Sequence, residues 1–298
     1  MNPTTDGAGQ AHQSALDAVT VVVVTYNSER CIPALAQGLH ELPHVIVVDN
    51  ASADDTVARV GGALPQARVL RNARNEGFGR ANNRGLAEVR TPYALLLNPD
   101  CEIGPDQVAA LLAEAIRWPE AAMLGPQLTD RQGGLSVNYR WPLALWAPRG
   151  PAAEAVCCVG FLSGAVWLLN LRHFEDLGFF DPRYFLYYED DDLCLRVFQA
   201  GKPLLLVPSV QVRHHSRGSS GSRQRWRTEY LRGFHHAPSK ITFQTKHVHQ
   251  ASARALWWRT FLLSVPLLLL RVLTLSPRHT ARALGRVIGL ARYKLQAP

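Results

Sequence analysis

The chain has 298 residues, 47% of them hydrophobic and 19% charged, which suffices for a large buried core and excludes a disordered polymer. Its net charge of +8 hides a division: residues 1–201 carry 15 Lys/Arg against 23 Asp/Glu, whereas residues 202–298 carry 17 against Glu229 alone. Five cysteines (Cys31, Cys101, Cys157, Cys158, Cys194) form no CxxC pair and no zinc spacing, which points away from a disulfide framework and leaves reduced thiols with no assigned chemistry.

Residues 1–17 read as a flexible leader. They are polar and lack the basic start and apolar core of a secretory signal, so a cytoplasmic location is expected. From there short apolar runs alternate with helical patterns: Val19–Val24, a helix near 28–40, His44–Val48, a helix near 54–61, Ala67–Leu70, a helix near 78–89 and Tyr93–Leu97. Strands alternating with helices predict an α/β fold with a mostly parallel, Rossmann-like central sheet flanked by helices and joined by right-handed crossovers. A helix follows near 105–117, and residues 130–158, rich in Gly, Pro and Trp without a clear period, read as a long surface excursion. The predicted organisation is the leader, a catalytic domain over 18–235 with halves at 18–104 and 105–235, and a basic amphipathic helical extension over 236–298.

In that tail residues 256–275 read LWWRTFLLSVPLLLLRVLTL, and residues 251–298 hold eight Lys/Arg and no acid. Only 11 residues separate Arg259 from Arg271, and Pro266 lies among them, well short of the roughly 20 that span a bilayer. An interfacial segment is expected, with Trp257, Trp258 and the arginines at the headgroup level of an anionic membrane. A buried core helix is the ordinary alternative. Nucleic acid is not an expected partner, because no base-reading motif accompanies the basic charge.

The polar residues gather at strand ends. Thr25-Tyr26-Asn27, Asp49-Asn50-Ala51-Ser52 and Asn98-Pro99-Asp100 follow the first, second and fourth strands, and ligands of open α/β sheets bind beyond such carboxyl ends. Each cluster also has an ordinary reading: Ser28 as the N-cap of the next helix, Asp49 in an Asx-type turn. Asp100 ends the run Leu95-Leu96-Leu97-Asn98-Pro99-Asp100, and a hard divalent cation is commonly held by one or two carboxylates together with substrate phosphates. Asn75-Glu76-Gly77-Phe78-Gly79-Arg80-Ala81-Asn82 resembles a glycine-rich phosphate turn but lacks the GxGxxG pattern, and Arg80 suits a diphosphate. Glu189-Asp190-Asp191-Asp192 stands either as a solvated acidic helix start or as a source of a general base. His214-His215 is a surface pair or the origin of a further metal ligand.

The order VVVVTYN, VVDNAS, NEGFGRANNRG, LLLNPD, FLSGAVWLL, GFFDPRYFLYYEDDDLCLR and HHSRGSS, from about Val19 to Ser219, resembles glycosyltransferase family 2, the inverting enzymes of the GT-A fold, and within it the bacterial rhamnosyltransferase-like branch. The resemblance implies a nucleotide-sugar site at Thr25, Tyr26, Asn27, Asp49, Ser52, Asn75, Gly77, Arg80, Asn82 and Asn98. It implies a divalent cation, Mg²⁺ or Mn²⁺, on Asp100 and His214, with Asn98 in place of the first acid of the DXD motif. It also implies Asp190 as catalytic base, with Glu189 and Asp192 orienting the acceptor or supporting the base. The expected reaction moves L-rhamnose from dTDP-L-rhamnose to a polyprenyl-diphosphate-linked cell-envelope glycan at the inner membrane face. UDP-galactofuranose, UDP-glucose, UDP-galactose and UDP-N-acetylglucosamine remain alternative donors, and a non-catalytic nucleotide-binding scaffold remains an alternative role. The oligomeric state, a homodimer included, stays open.

Overall fold

The computed structural model of the chain describes residues 15–140, 152–215 and 225–293. Most of the predicted leader, the centre of the 130–158 excursion and the SRGSS end of the histidine motif lie outside them. The chain forms two compact units. One comprises the residues through Glu76, Arg80–Phe180 and Leu193–Ser219; the other comprises Gly77–Gly79, Asp181–Asp192 and the chain from Ser220 onward.

The first unit begins with β1 (Val19–Thr25), α1 (Ile32–Leu39), β2 (Val45–Asp49), α2 (Thr56–Ala63), β3 (Arg68–Arg71), α3 (Phe78–Leu86), whose first two residues count with the second unit, and β4 (Tyr93–Leu97). It continues through β5 (Cys101–Glu102), α4 (Pro105–Arg117), β6 (Met123–Thr129), β7 (Leu135–Ser136), β8 (Tyr139–Arg140), β9 (Cys157–Val159), β10 (Phe161–Leu162) and β11 (Val166–Asn170). Then come α5 (Glu189–Gln199), whose first four residues count with the second unit, and β12 (Leu204–His214). The main sheet runs β3-β2-β1-β4-β11-β6-β12-β5. It is parallel from β3 to β4, but β11 enters antiparallel to both β4 and β6. β12 then pairs with β6 in parallel and with β5 antiparallel, so the sheet as a whole is mixed.

β1 and β2 are buried along their whole length, as expected of strands covered on both faces. Val21, Val23, Leu95, Leu97 and Leu168 share one cluster with Ile32, Leu35 and Leu39 of α1 and with Val108, Leu111 and Leu112 of α4. Leu16 is buried in the same cluster, so the last residues of the predicted leader belong to the core. α1 starts at Ile32, later than predicted, with Pro33 in its first turn. Ser28 does not cap it: the Ser28 hydroxyl accepts the Tyr26 N–H at 3.2 Å and its carbonyl accepts the Cys31 N–H at 2.8 Å. The flanks of the 130–158 excursion are woven into structure: β7 pairs with β6, β9 with β12, and β8 with β10. Asn138 anchors this segment by accepting the Leu128 N–H at 3.2 Å and donating to the Pro126 carbonyl at 3.1 Å.

The second unit contains α6 (Arg225–His247), α7 (Gln250–Leu273) and α8 (Pro277–Arg292). α6 runs unbroken across residues 235 and 236, so the predicted boundary there falls inside a helix, and the acidic run joins this unit rather than the sheet. α6 and α8 meet through glycines: a Cβ on Gly233 would lie 2.0 Å from the Arg282 carbonyl oxygen, and one on Gly285 2.1 Å from that of Tyr230. Alanine normally stabilises a helix relative to glycine by about 0.5–1 kcal/mol. At Gly285 the clash reverses the sign, and we expect Gly285→Ala to lower stability by about 1–3 kcal/mol. Gly61→Ala in α2, where an added Cβ meets nothing within 4 Å, should raise it; denaturant unfolding of the two variants measures both.

α7 has 24 residues, about 36 Å at 1.5 Å per residue. It continues through Pro266, and by length and composition it is long and apolar enough to cross a membrane. It is not the buried core helix of the alternative reading: only Ala253 and Ser264 of α7 are buried, while Trp258, Leu262, Leu263, Val265, Leu269, Leu270, Val272 and Leu273 are exposed. Trp257 is half-buried on the same helix. Its indole N–H donates to the Leu290 carbonyl at 3.1 Å and its ring stacks on Phe261 with centroids 5.0 Å apart.

Candidate active site

The register of the parallel strands places Thr25 opposite Asp49 and Val23 opposite Leu97, so the polar tips of β1, β2 and β4 share one sheet edge. The Thr25 hydroxyl donates to Asp49 Oδ1 at 3.2 Å and the Ser52 N–H donates to Oδ2 at 3.0 Å. These donors satisfy a carboxylate that is only 4% exposed, as burial of a charge demands. Asn27, at φ 52°, donates its N–H to the Ser52 hydroxyl at 2.9 Å and accepts the Ala53 N–H at 2.8 Å. Short polar side chains tolerate this left-handed backbone. Tyr26 is exposed beside them.

Asn50 fastens the next loop. Its Oδ1 accepts the Asn72 amide and the Glu76 N–H, both at 2.9 Å, and its own amide donates to Asn75 Oδ1 at 2.9 Å. Asn82 is buried on α3 and Arg80 is exposed at its start. Gly77 belongs to the second unit, where its φ of 89° and the Phe185 carbonyl, 2.2 Å from any added Cβ, both demand glycine.

Beyond β4, the Asn98 N–H donates to the Ala165 carbonyl at 2.9 Å and the Asn98 carbonyl accepts the Cys101 N–H at 3.1 Å. That turn carries Asp100. The antiparallel pairing of β12 with β5 then places Arg213 opposite Glu102 and His214 opposite Cys101. Alternate side chains of a strand face opposite sides, so the two histidines part company: His214 Nε2 lies 3.4 Å from Asp100 Oδ1, while His215 pairs with Glu102, which Arg213 also contacts at 3.2 Å. Asp100, Cys101 and His214 each present a donor atom within 4.8 Å of the others. A carboxylate oxygen and an imidazole nitrogen fit a divalent cation of the Mn²⁺ or Mg²⁺ kind. The Cys101 thiol faces the Ala165 carbonyl at 3.8 Å.

Within the second unit, the acidic run opens α5. Asp190 is half-buried and its Oδ1 accepts the Asp191 N–H at 2.9 Å. Glu189 is buried with no partner for Oε2; burial first, then the charge of Asp190, push its carboxyl well above the usual range. Asp192 is wholly buried and receives Lys246 and His247, each at 2.7 Å. Asp181 behaves oppositely to Glu189: burial raises its pKa, but hydrogen bonds from Arg183 and Lys246 outweigh that and hold it below the carboxylate range. Burial holds the His235 and His236 imidazoles down to about 4, neutral at pH 7; His235 stacks on Phe185 with centroids 4.4 Å apart.

Most of the predicted residues thus fall into three groups. Thr25, Asn27, Asp49 and Ser52 form one network, joined through Asn50 to Asn75. Asp100 and His214 pair beyond β4. Glu189, Asp190, Asp192 and Gly77 stand on the second unit. The roles of Asn50, Asn72, Lys246 and His247 escaped the sequence reading; an asparagine following a strand-end acid was the available signal for the first, and none marked the last two.

The chain resembles known proteins over most of its length. The family model described as Glycosyl transferase family 2 matches residues 20–158, and that described as Glycosyl transferase family group 2 matches residues 95–289. N-acetylglucosaminyl-diphospho-decaprenol L-rhamnosyltransferase of Mycobacterium tuberculosis is 31% identical over 278 residues, covering 82% of this chain and 87% of that protein. Among solved structures, a mannosyltransferase from Pyrobaculum calidifontis in complex with GDP-Man and Mn²⁺ superposes with a TM-score of 0.54 at 15% identity, covering 96% of each chain. S. aureus TarS in complex with UDP-GlcNAc gives 0.52 at 16% identity, covering 90% of each. These two likenesses establish the GT-A architecture, and the 31% identity over 82% of the chain, with the family group 2 model over residues 95–289, establishes the chemistry class: the chain belongs to glycosyltransferase family 2, in its rhamnosyltransferase-like branch, and is a glycosyltransferase.

Proposed function

We propose that the enzyme transfers L-rhamnose from dTDP-L-rhamnose, with inversion, to a hydroxyl of a glycan carried on a polyprenyl diphosphate. The observation that carries this reading is the pair Asp100–His214, 3.4 Å apart, at the same sheet edge as the Thr25–Asp49–Ser52 network. In this reading Asp49 accepts the N3–H of the thymine base, which both thymine and uracil offer and purines do not in that form. Tyr26 flanks the base, and Arg80 neutralises diphosphate charge. Asp100 and His214 hold a divalent cation, which when bound neutralises charge developing on the leaving diphosphate. Asp190 removes the proton from the acceptor hydroxyl as its oxygen attacks the anomeric carbon on the side away from the diphosphate. A single displacement inverts the configuration. Glu189 and Asp192 shape and support that acid.

The similar mycobacterial protein is named for transfer of L-rhamnose to a decaprenol-linked N-acetylglucosamine, which supports a lipid-linked acceptor here. Product analysis with a panel of dTDP-L-rhamnose, UDP-galactofuranose, UDP-glucose, UDP-galactose and UDP-N-acetylglucosamine, metal and polyprenyl-linked acceptor tests the assignment. Transfer from dTDP-L-rhamnose above the others is expected, and preference for a UDP-sugar would overturn the donor.

The exposed apolar side of α7 and the arginines of α7 and α8 support peripheral attachment to the cytoplasmic face of an anionic membrane. Exchanging Leu262 and Leu269, 61% and 62% exposed, for aspartate should weaken sedimentation with vesicles containing phosphatidylglycerol by at least about tenfold, because burying one leucine is worth about 1.5–3 kcal/mol. Unchanged vesicle binding would remove α7 from that role.

A further inference from the structure

We infer that Lys246 and His247, at the end of α6, are positioning residues that hold the acidic run of α5 in its working geometry through Asp192. The inference rests on the reading of Asp190 as the base and concerns residues to which no role has been given above.

Tyr187 and Tyr188, directly before the run, both adopt left-handed backbone, at φ 71° and 68°. Two consecutive non-glycine residues in that region persist only where their surroundings over-determine them. Here one helical stripe of α6 supplies the constraint, with residues at 236, 239, 243, 246 and 247 recurring three or four apart. The Ser239 hydroxyl donates to the Leu186 carbonyl at 2.9 Å, and His236 and Phe243 lie against Tyr188 at centroid distances of 5.3 and 5.6 Å. Lys246 Nζ and His247 Nε2 both reach Asp192 Oδ1 at 2.7 Å, and Lys246 also reaches Asp181 Oδ2 at 2.7 Å. Lys246 therefore ties the two ends of the 181–192 segment together. The Asp192 N–H donates to the Tyr188 carbonyl at 2.9 Å, closing the first helical turn with Asp190 inside it. A carboxylate with no exposed surface has no solvent to replace these partners. Losing one of them shifts the turn, and a shift of about 1 Å at a reacting group costs on the order of 100-fold in rate.

The test compares His247→Gln, whose amide nitrogen falls near Nε2 of the imidazole, with His247→Asn, whose amide stops short at the Nδ1 position. Lys246→Met and Lys246→Arg extend it to the second donor. We expect His247→Gln to keep kcat within about threefold and His247→Asn to lose about ten- to 100-fold, with the KM for the sugar nucleotide unchanged in both and Lys246→Arg recovering more activity than Lys246→Met. Equal kcat for the Gln and Asn variants at equal melting temperature would overturn the inference, and this mild pair decides the matter even if Lys246→Met does not fold. Asp190→Asn measured alongside separates the two readings. Full activity of that variant defeats the base assignment, whereas its inactivity together with an unimpaired His247→Asn defeats the positioning role alone.

Discussion

Replacing Asp190 by asparagine should lower kcat by at least about 100-fold, the ordinary cost of losing a general base, while leaving dTDP binding within about twofold of the parent, since a neutral amide of the same size disturbs packing little. The reason lies in the differing surroundings of the acids. Glu189 is buried with its carboxyl pushed up by burial and by Asp190, which suits it poorly to take a proton at neutral pH. Asp192 is enclosed and saturated by Lys246 and His247. Asp190 is half-buried with Oδ1 engaged by a backbone N–H at 2.9 Å, and is more exposed than Glu189 or Asp192. Pre-steady-state transfer rates and calorimetric dTDP titration check the two halves separately. Retention of near-parental transfer would move the role to another acid.

Replacing Asp100 by alanine should abolish the metal-dependent part of nucleotide binding. Outer partners of a metal site are typically worth about 10–100-fold in metal affinity, and a carboxylate placed 3.4 Å from the His214 imidazole sets a larger expectation, a fall of more than about 100-fold. dTDP affinity should then become the same with and without Mn²⁺, whereas the parent binds more tightly with the ion. His214→Ala should give the same direction with a smaller loss, because imidazole brings no negative charge to the cation. Titration with Mn²⁺ present and absent reads both, and an undiminished metal effect in Asp100→Ala would contradict the assignment of this pair.

How much of this was legible beforehand depends on the range of the interaction involved. α4 was expected near 105–117 and spans Pro105–Arg117, because a proline start and an apolar stripe of Val108, Leu111, Leu112 and Ala115 are local signals. β1, β2 and β4 were visible for a similar reason, as continuous apolar runs. The antiparallel entry of β11 between β4 and β6 left no comparable mark, since a buried strand reads alike in either direction. Ser28 looked like a cap, yet the left-handed Asn27 and the first-turn Pro33 delay the helix past it. The excursion near 130–158 had no period because its flanks are two- and three-residue strands, too short to produce one.

The sequence by itself determined the chemistry: strand-end acids, a glycine turn, the acidic run and paired histidines sit in an order that few folds share, and each is recognisable from its immediate neighbours. The family resemblance pointed to His214 rather than His215, but only the tertiary structure supplied the physical reason that it meets Asp100, the register of β12 against β5 across more than a hundred residues of intervening chain. It alone assigned the acidic run to the helical unit, and it alone joined Asp192 to Lys246 and His247. Side-chain type is written locally, whereas register and burial arise from pairings between distant segments, and these settle which of several similar groups is buried, exposed or paired.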